Sequence, residues 1–332
     1  LARYLRRPEN YPELSEQVSR YCFRTLRSQA KHYAKVTERV LLTVEYTPGK
    51  AERQLYELLY AYINQPEKRA FPEMNQYDLA LRLLGLLGSS TAAILQTIKG
   101  IVKRLQGLEN AADELSQWQE IQTAAESIPQ DAKAGELLTV LKQGFSLMKK
   151  TGAKQKAVIF TESVETQKML QNLLSDRYRT LAYNGSADYS VIRQFKEDGE
   201  VLISTDNGAK GFNLEEAAFI IHYDLPYNTL KLEQRIDRCH RLGQENDVLS
   251  VAFIDKNNFA DVRKLELVNK RMLVTDGVFG ITDDVLGGFT DDVKAAFPVI
   301  AQRLRPRAQI EQAYRQTLDT HEEDNRQTVS AA

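Results

Sequence analysis

Val201-Leu-Ile-Ser-Thr-Asp-Asn-Gly-Ala-Lys-Gly-Phe-Asn-Leu214 passes from a short apolar run straight into a loop with two glycines. A continuous apolar run bounded by turn residues reads as a strand buried on both faces. The same grammar repeats on either side. Ala157-Val-Ile-Phe160 precedes a helical pattern through Leu170 and Leu174, and Thr180-Leu-Ala-Tyr183 precedes one around Ile192 and Phe195. Phe219-Ile-Ile-His-Tyr223 leads to a helix from Leu230 to Leu242, and Val248-Leu-Ser-Val-Ala-Phe-Ile254 closes the series. Five strands alternating with helices predict an α/β fold with a doubly wound parallel sheet. Ligands of such sheets sit in loops at the carboxyl ends of strands. Here those loops are 161–163, 184–186, 204–213 and 224–228.

Around this core, two further zones are expected. Residues 1–150 read as a helical region, with apolar spacing at Leu55, Leu58, Leu59 and Tyr62, then at Leu79, Leu83, Leu84 and Leu87. One strand, Arg39–Tyr46, interrupts it. Residues 151–256 hold the sheet, and 257–332 read as a helical C-terminal extension. The formal net charge of −1 argues neither for nor against nucleic acid, so a basic surface has to be local. Two cysteines, Cys22 and Cys239, are too few for a disulfide framework and suit a reducing cytoplasm. No stretch has the apolar length of a membrane span, since Leu79 to Leu95 is broken by Arg82. The chain opens on Leu1 rather than Met, and a piece of a longer protein is the expectation.

The chemistry concentrates in Leu232-Glu-Gln-Arg-Ile-Asp-Arg-Cys-His-Arg-Leu-Gly-Gln244. On one helix Gln234, Arg238 and Arg241 share a face, while Leu232, Ile236 and Cys239 form a second stripe. One face buries against the sheet; the other presents guanidinium groups, which match phosphate oxygens. Read alone, an Arg-rich helix is more often a solvated, salt-bridged face. In its setting the stretch resembles motif VI of superfamily-two helicases in Swi/Snf form. Val201–Leu214 resembles motif V, Tyr223-Asp-Leu-Pro-Tyr-Asn228 the short element after it, Val158–Thr161 motif IV, and Tyr183-Asn-Gly-Ser186 the turn after the next strand. Ser89-Ser90, Tyr46-Thr-Pro48 and Asp283-Asp-Val-Leu-Gly287 extend the resemblance to the bacterial RapA-like branch, from about residue 25 to about residue 290. There are departures: Ala209 replaces a second glycine of motif V, Lys210 an acidic residue and Thr229 a proline, and only a short stretch separates Ser186 from Phe195.

The resemblance implies a RecA-like parallel sheet sandwiched by helices, working as the C-terminal half of a DNA-dependent ATPase and translocase. Arg238 and Arg241 are the implied catalytic arginines. Gly208, Gly211, Asn213 and Gln234 fall on the nucleotide side. Thr161, Asn184, Gly185, Ser186, Ser204 and Thr205 are the implied DNA contacts. The implied partners are duplex DNA, an N-terminal RecA-like lobe of the same protein and, from the RapA-like branch, RNA polymerase. ATP and Mg2+ are the implied cofactors, held mainly by the other lobe. No Gly-x-x-x-x-Gly-Lys-Ser/Thr phosphate loop occurs in the sequence, so this chain alone is expected to be inactive. The rival reading is a non-catalytic RecA-like module that docks DNA or protein. Without the resemblance, Asn184-Gly185 is also a hairpin signal, and the helical run Arg20, Arg24, Arg27, Lys31 and Lys35 is equally a duplex-tracking stripe or a solvated face.

Overall fold

The computed structural model describes residues 8–21, 35, 37–185, 188–206, 212–279 and 284–330. Seven strands form one all-parallel sheet: β1 (Arg39–Glu45), β2 (Ala157–Thr161), β3 (Thr180–Tyr183), β4 (Val201–Thr205), β5 (Phe219–His222), β6 (Val248–Ile254) and β7 (Gly288–Thr290), in the order β3-β4-β2-β5-β6-β1-β7. The five expected strands are all present. The expectation of a five-stranded sheet is nevertheless corrected: β1 adds to β6 over its whole length, from Arg39 beside Val248 to Glu45 beside Ile254, and β7 adds to β1. The zone before residue 150 and the zone after residue 257 each supply one strand.

The sheet is buried on both faces, as a parallel sheet requires. Alternate residues of each strand divide between two cores. Ile159, Ile203, Ile221, Val251 and Val44 face one side, against α6 (Ala132–Thr151), α7 (Val164–Leu174) and α11 (Val293–Arg303). Phe160, Leu202, Ile220 and Ala252 face the other, against α8 (Ser190–Glu197), α9 (Thr229–Cys239) and α10 (Phe259–Phe279). Helix α6 lies so close to β5 that a Cβ at Gly144 would sit 2.2 Å from the Phe219 ring, which excludes a side chain there.

A separate apolar cluster belongs to the helices α2 (Lys50–Ile63), α3 (Gln76–Ser89), α4 (Thr91–Leu105) and α5 (Ala112–Glu126). Leu55, Leu59, Leu79, Leu83 and Leu84 are fully buried in it, as their spacing predicts, around Trp118 packed edge-on to Tyr62. The remaining helices are α1 (Tyr11–Ser19) and α12 (Arg307–Ser330). Among the described residues, no helix is long and apolar enough to cross a membrane.

The ends of β1 and β6 meet this helical unit at Asp255, whose carboxyl is pushed up to about 6 by burial, with Asp261 and Glu52 adding to the rise. The folded chain therefore holds this proton more tightly than the unfolded chain. The contribution to stability is full below the ordinary carboxylate range and is lost as pH rises through about 6. Thermal melts of Asp255→Asn should accordingly show a higher Tm than the parent at neutral pH and a flatter profile between about pH 4 and pH 7. A variant that melts lower at neutral pH would mean the carboxylate is a net stabiliser.

Candidate nucleotide and nucleic-acid interface

β2 is an interior strand, with β4 and β3 on one side and β5, β6, β1 and β7 on the other. The connections leave β2 in both directions, and the crevice outside the carboxyl ends of such strands is where α/β sheets place ligands. Four chain segments converge there: Thr161–Ser163 after β2, Asn184–Gly185 after β3, Asp206 after β4 and Tyr223–Asp224 after β5.

Helix α9 starts where Asn228 caps it, accepting a hydrogen bond from the Leu230 amide at 3.1 Å. It ends at Cys239, one residue before His240, whose ring fixes the exit. Its Nδ1 accepts from Arg39 Nε at 2.6 Å, and its Nε2 lies 2.9 Å from the Thr37 carbonyl. His240 thus ties motif VI to the entry of β1 and has a structural role. Because the helix stops there, Arg241 lies in the following turn, and the expectation that it shares a helical face with Gln234 and Arg238 is corrected. The apolar stripe is as expected: Leu232, Ile236 and Cys239 are fully buried, and burial pushes the Cys239 thiol up.

The turn brings Arg241 to Asn213, whose side-chain oxygen accepts from the guanidinium. The Leu214 amide donates to the Arg238 carbonyl at 2.8 Å, and Gln244 donates to the carbonyls of Glu215 and Cys239 at 2.9 and 3.1 Å. Motif V and motif VI are therefore stitched together, with two partly exposed arginines at the seam. The Arg238 Nε is buried and has no hydrogen-bond partner. An orphaned buried guanidinium donor is costly unless a further group completes it, which suits a phosphate oxygen. Gln234 is exposed on the solvent side of α9. Gly208, Gly211 and Ser186 lie outside the described residues, as do Arg24, Arg27 and Lys31 of the N-terminal run.

The strand-end residues expected to reach DNA through their hydroxyls are buried. Thr161 and Ser204 are fully buried and Thr205 is 5% exposed. Thr161 donates to Asp224 at 2.5 Å, and Ser204 donates to the Thr205 carbonyl at 3.1 Å. Strands covered on both faces hold these three side chains within the protein. Asn184 is partly exposed, and Gly185 is exposed with φ of 87°, a conformation that glycine adopts without strain.

Two buried groups escaped the sequence reading. Arg235, 1% exposed, donates through Nε to Asp206 at 2.8 Å and through Nη1 to the Asp224 carbonyl at 2.6 Å. It joins the end of β4 to the end of β5. The signal was present, since 232, 235, 236 and 239 follow the spacing of one helix face. Asp224 is the second. Burial pushes its carboxyl up, but Lys133, Lys264, the Thr161 hydroxyl and the Glu162 amide outweigh burial and hold it at about 2. It accepts from Lys133 at 3.1 Å, Ser89 at 2.9 Å and the Glu162 amide at 2.9 Å. Ser89 sits at the end of α3 and Lys133 in the first turn of α6, so this carboxylate fastens the helical unit to the strand ends.

Comparison with known proteins finds one family match and a set of relatives. Residues 136–243 match the helicase conserved C-terminal domain. The uncharacterized ATP-dependent helicase YqhH of Bacillus subtilis is 32% identical over 204 residues, which is 60% of this chain and 34% of that protein. The RNA polymerase-associated protein RapA of Vibrio parahaemolyticus is 26% identical over 255 residues, 71% of this chain and 24% of that protein. This chain thus spans about a third or less of these relatives' lengths. Among solved structures, the C-terminal part of the Fun30 ATPase domain is 18% identical, with 74% of this chain and all of that one covered at a TM-score of 0.46. That overlap is too loose to carry an argument.

Proposed function

We propose that this chain, whose residues 136–243 match the helicase conserved C-terminal domain, is the arginine-bearing half of a Swi/Snf-type, DNA-dependent ATPase that moves along duplex DNA. The observation that best supports this reading is the seam between motifs V and VI, where Arg241 is held by Asn213 and Arg238 is left with an unsatisfied donor. Phosphoryl transfer is catalysed almost wholly by positioning and charge stabilisation. In this reading, a phosphate loop and Mg2+ on a second RecA-like lobe hold ATP, and the two arginines of this chain close on the γ-phosphate as water displaces ADP. Gly208, Gly211, Asn213 and Gln234 border the nucleotide. RNA polymerase as partner and the reducing cytoplasm as compartment belong to the same reading.

DNA contact is assigned to the loop at Asn184, Gly185 and Ser186 and to backbone amides after β4. Thr161, Ser204 and Thr205 belong to the same assignment through their place at the strand ends. Contacts of this kind read phosphates and not bases. Affinity for duplex DNA is therefore expected to fall steeply with added salt and to vary little with base sequence, as fluorescence anisotropy titrations would report. A salt-insensitive or strongly sequence-selective complex would count against the assignment.

The test of the function itself is phosphate release, measured with DNA and Mg2+, by this chain and by the complete protein of which it is part. The complete protein is expected to turn over ATP and to be stimulated by DNA. The 332 residues alone contain no phosphate loop and are expected to release none. Turnover by this chain alone that disappears on changing Arg241 would mean that it holds a complete active site. A complete protein without turnover would favour a docking module.

A further inference from the structure

Away from the seam of motifs V and VI, the carboxyl ends of β1 and β6 open into a cavity of about 390 Å³. The strand ends contribute Tyr46 and Asp255, side by side because the Tyr46 amide donates to the Ile254 carbonyl at 3.1 Å. Helix α2 contributes Glu52, Tyr56 and Glu57, and its Arg53 is the one cation in the lining. The volume lies in the range of small-ligand sites, and no residue assigned above to nucleotide or DNA lines it.

The lining points to an occupant. The Tyr46 side chain is 6% exposed, lies among Asp261, Asp255 and Glu52, and has the Lys133 ammonium 5.6 Å from its ring centre. Asp255 is 5% exposed, and one oxygen accepts from the Asn257 amide at 2.9 Å. No lysine or arginine among the described residues pairs with it, whereas the buried Asp224, Asp247 and Asp261 are paired with Lys133, Arg305 and Lys264. Asp131, also buried, is satisfied by the Thr91 amide and hydroxyl, whereas Asp255 accepts from the Asn257 amide and faces a cavity with room for a cation.

The chemistry narrows the ligand. Carboxylates in the lining repel phosphate, which sets this cavity apart from a nucleic-acid path. Among the described residues no three His, Cys, Asp or Glu side chains converge as metal ligands, which argues for an organic cation over a metal ion. The Tyr56 ring and Leu87 offer apolar surface for a hydrocarbon stem.

We propose that this cavity binds a guanidinium or alkylammonium group on an aliphatic stem. The Asp255 carboxylate takes the charge, the Tyr46 hydroxyl accepts a hydrogen bond, and the Tyr56 ring lies against the stem. The raised carboxyl of Asp255 accords with an anionic site waiting for its counter-charge. A free small cation and a basic side chain on a protein segment present the same chemistry.

Calorimetric titration of the whole chain, without ATP or DNA, tests the proposal independently of the ATPase reading. The probes are agmatine, N-acetyl-arginine amide and its neutral isostere N-acetyl-citrulline amide. Saturable binding of either cation, with the citrulline compound inert, is the expected result. Binding of agmatine alone identifies a small-molecule site; binding of the arginine amide identifies a side-chain pocket. Asp255→Asn, confirmed folded by its melting curve, should weaken binding at least about tenfold, the scale of a lost charged hydrogen bond. Tyr56→Leu should weaken it as well. No saturation by either cation up to about 10 mM, equal binding of the citrulline compound, or unchanged affinity in Asp255→Asn would overturn the assignment.

Discussion

Replacement of Arg241 by Ala in the complete protein is expected to lower DNA-stimulated ATP turnover about a thousandfold or more, the scale of an arginine finger in phosphoryl transfer. The fold should survive. Arg241 stands in the turn beyond α9, partly exposed, and its one assigned partner is the Asn213 side chain on the surface. Nothing in the apolar cores rests on it. Arg241→Lys should not restore turnover, because a point charge cannot reproduce the forked donor geometry. Asn213→Ala should cost far less, since it removes the group that orients the guanidinium and leaves the charge. Phosphate release together with thermal melting separates the outcomes. Near-normal turnover in Arg241→Ala would transfer the role to Arg238, whose orphaned Nε makes it the next candidate.

The central sheet was legible because its strands are short apolar runs between turn residues. The edge of the sheet was not. β1 lies in a helix-rich region and pairs with β6 more than two hundred positions later, a long-range choice that no local pattern encodes. β7 is three residues long and partly exposed, too short to leave a period. The same physics explains what was missed at the site. In strands buried throughout, such as β2 and β4, alternation vanishes, and nothing tells which way a threonine hydroxyl points. The sequence therefore located Thr161 and Thr205 at strand ends and left the direction of their side chains open. Arg235 was overlooked because arginine is expected in water. Its burial depends on Asp206 and on the Asp224 carbonyl, partners from two other loops.

Lys133 marks the place where the helical unit and the sheet depend on each other. Its ammonium is 4% exposed, lies 3.1 Å from Asp224 and 2.7 Å from the Gly88 carbonyl, and sits 4.2 Å from the centre of the Tyr223 ring. Lys133→Met keeps the hydrocarbon volume and deletes the charge, which leaves the Asp224 carboxylate buried with much of its compensation gone. Breaking such a pair from one side costs about 3–5 kcal/mol. The loss is expected in urea unfolding at neutral pH as a lower midpoint with an unchanged slope. The pH dependence distinguishes a stranded charge from a mere packing defect. In the parent, the Asp224 carboxyl is depressed to about 2, so its contribution is present above the ordinary carboxylate range and is lost as pH falls toward about 2. In Lys133→Met a main cause of that depression is removed, and burial then drives the carboxyl upward. The variant should therefore approach the parent's stability on acidification, as Asp224 takes up a proton. Lys133→Met combined with Asp224→Asn should recover part of the loss at neutral pH, because the amide removes the stranded charge. If the single variant unfolds at the parent's midpoint, Lys264 and the hydroxyls of Ser89 and Thr161 suffice for Asp224, and the helical unit is fastened by its apolar contacts instead. If the destabilisation is the same at every pH, the lost contact with the Tyr223 ring is the larger effect and the ion pair the smaller.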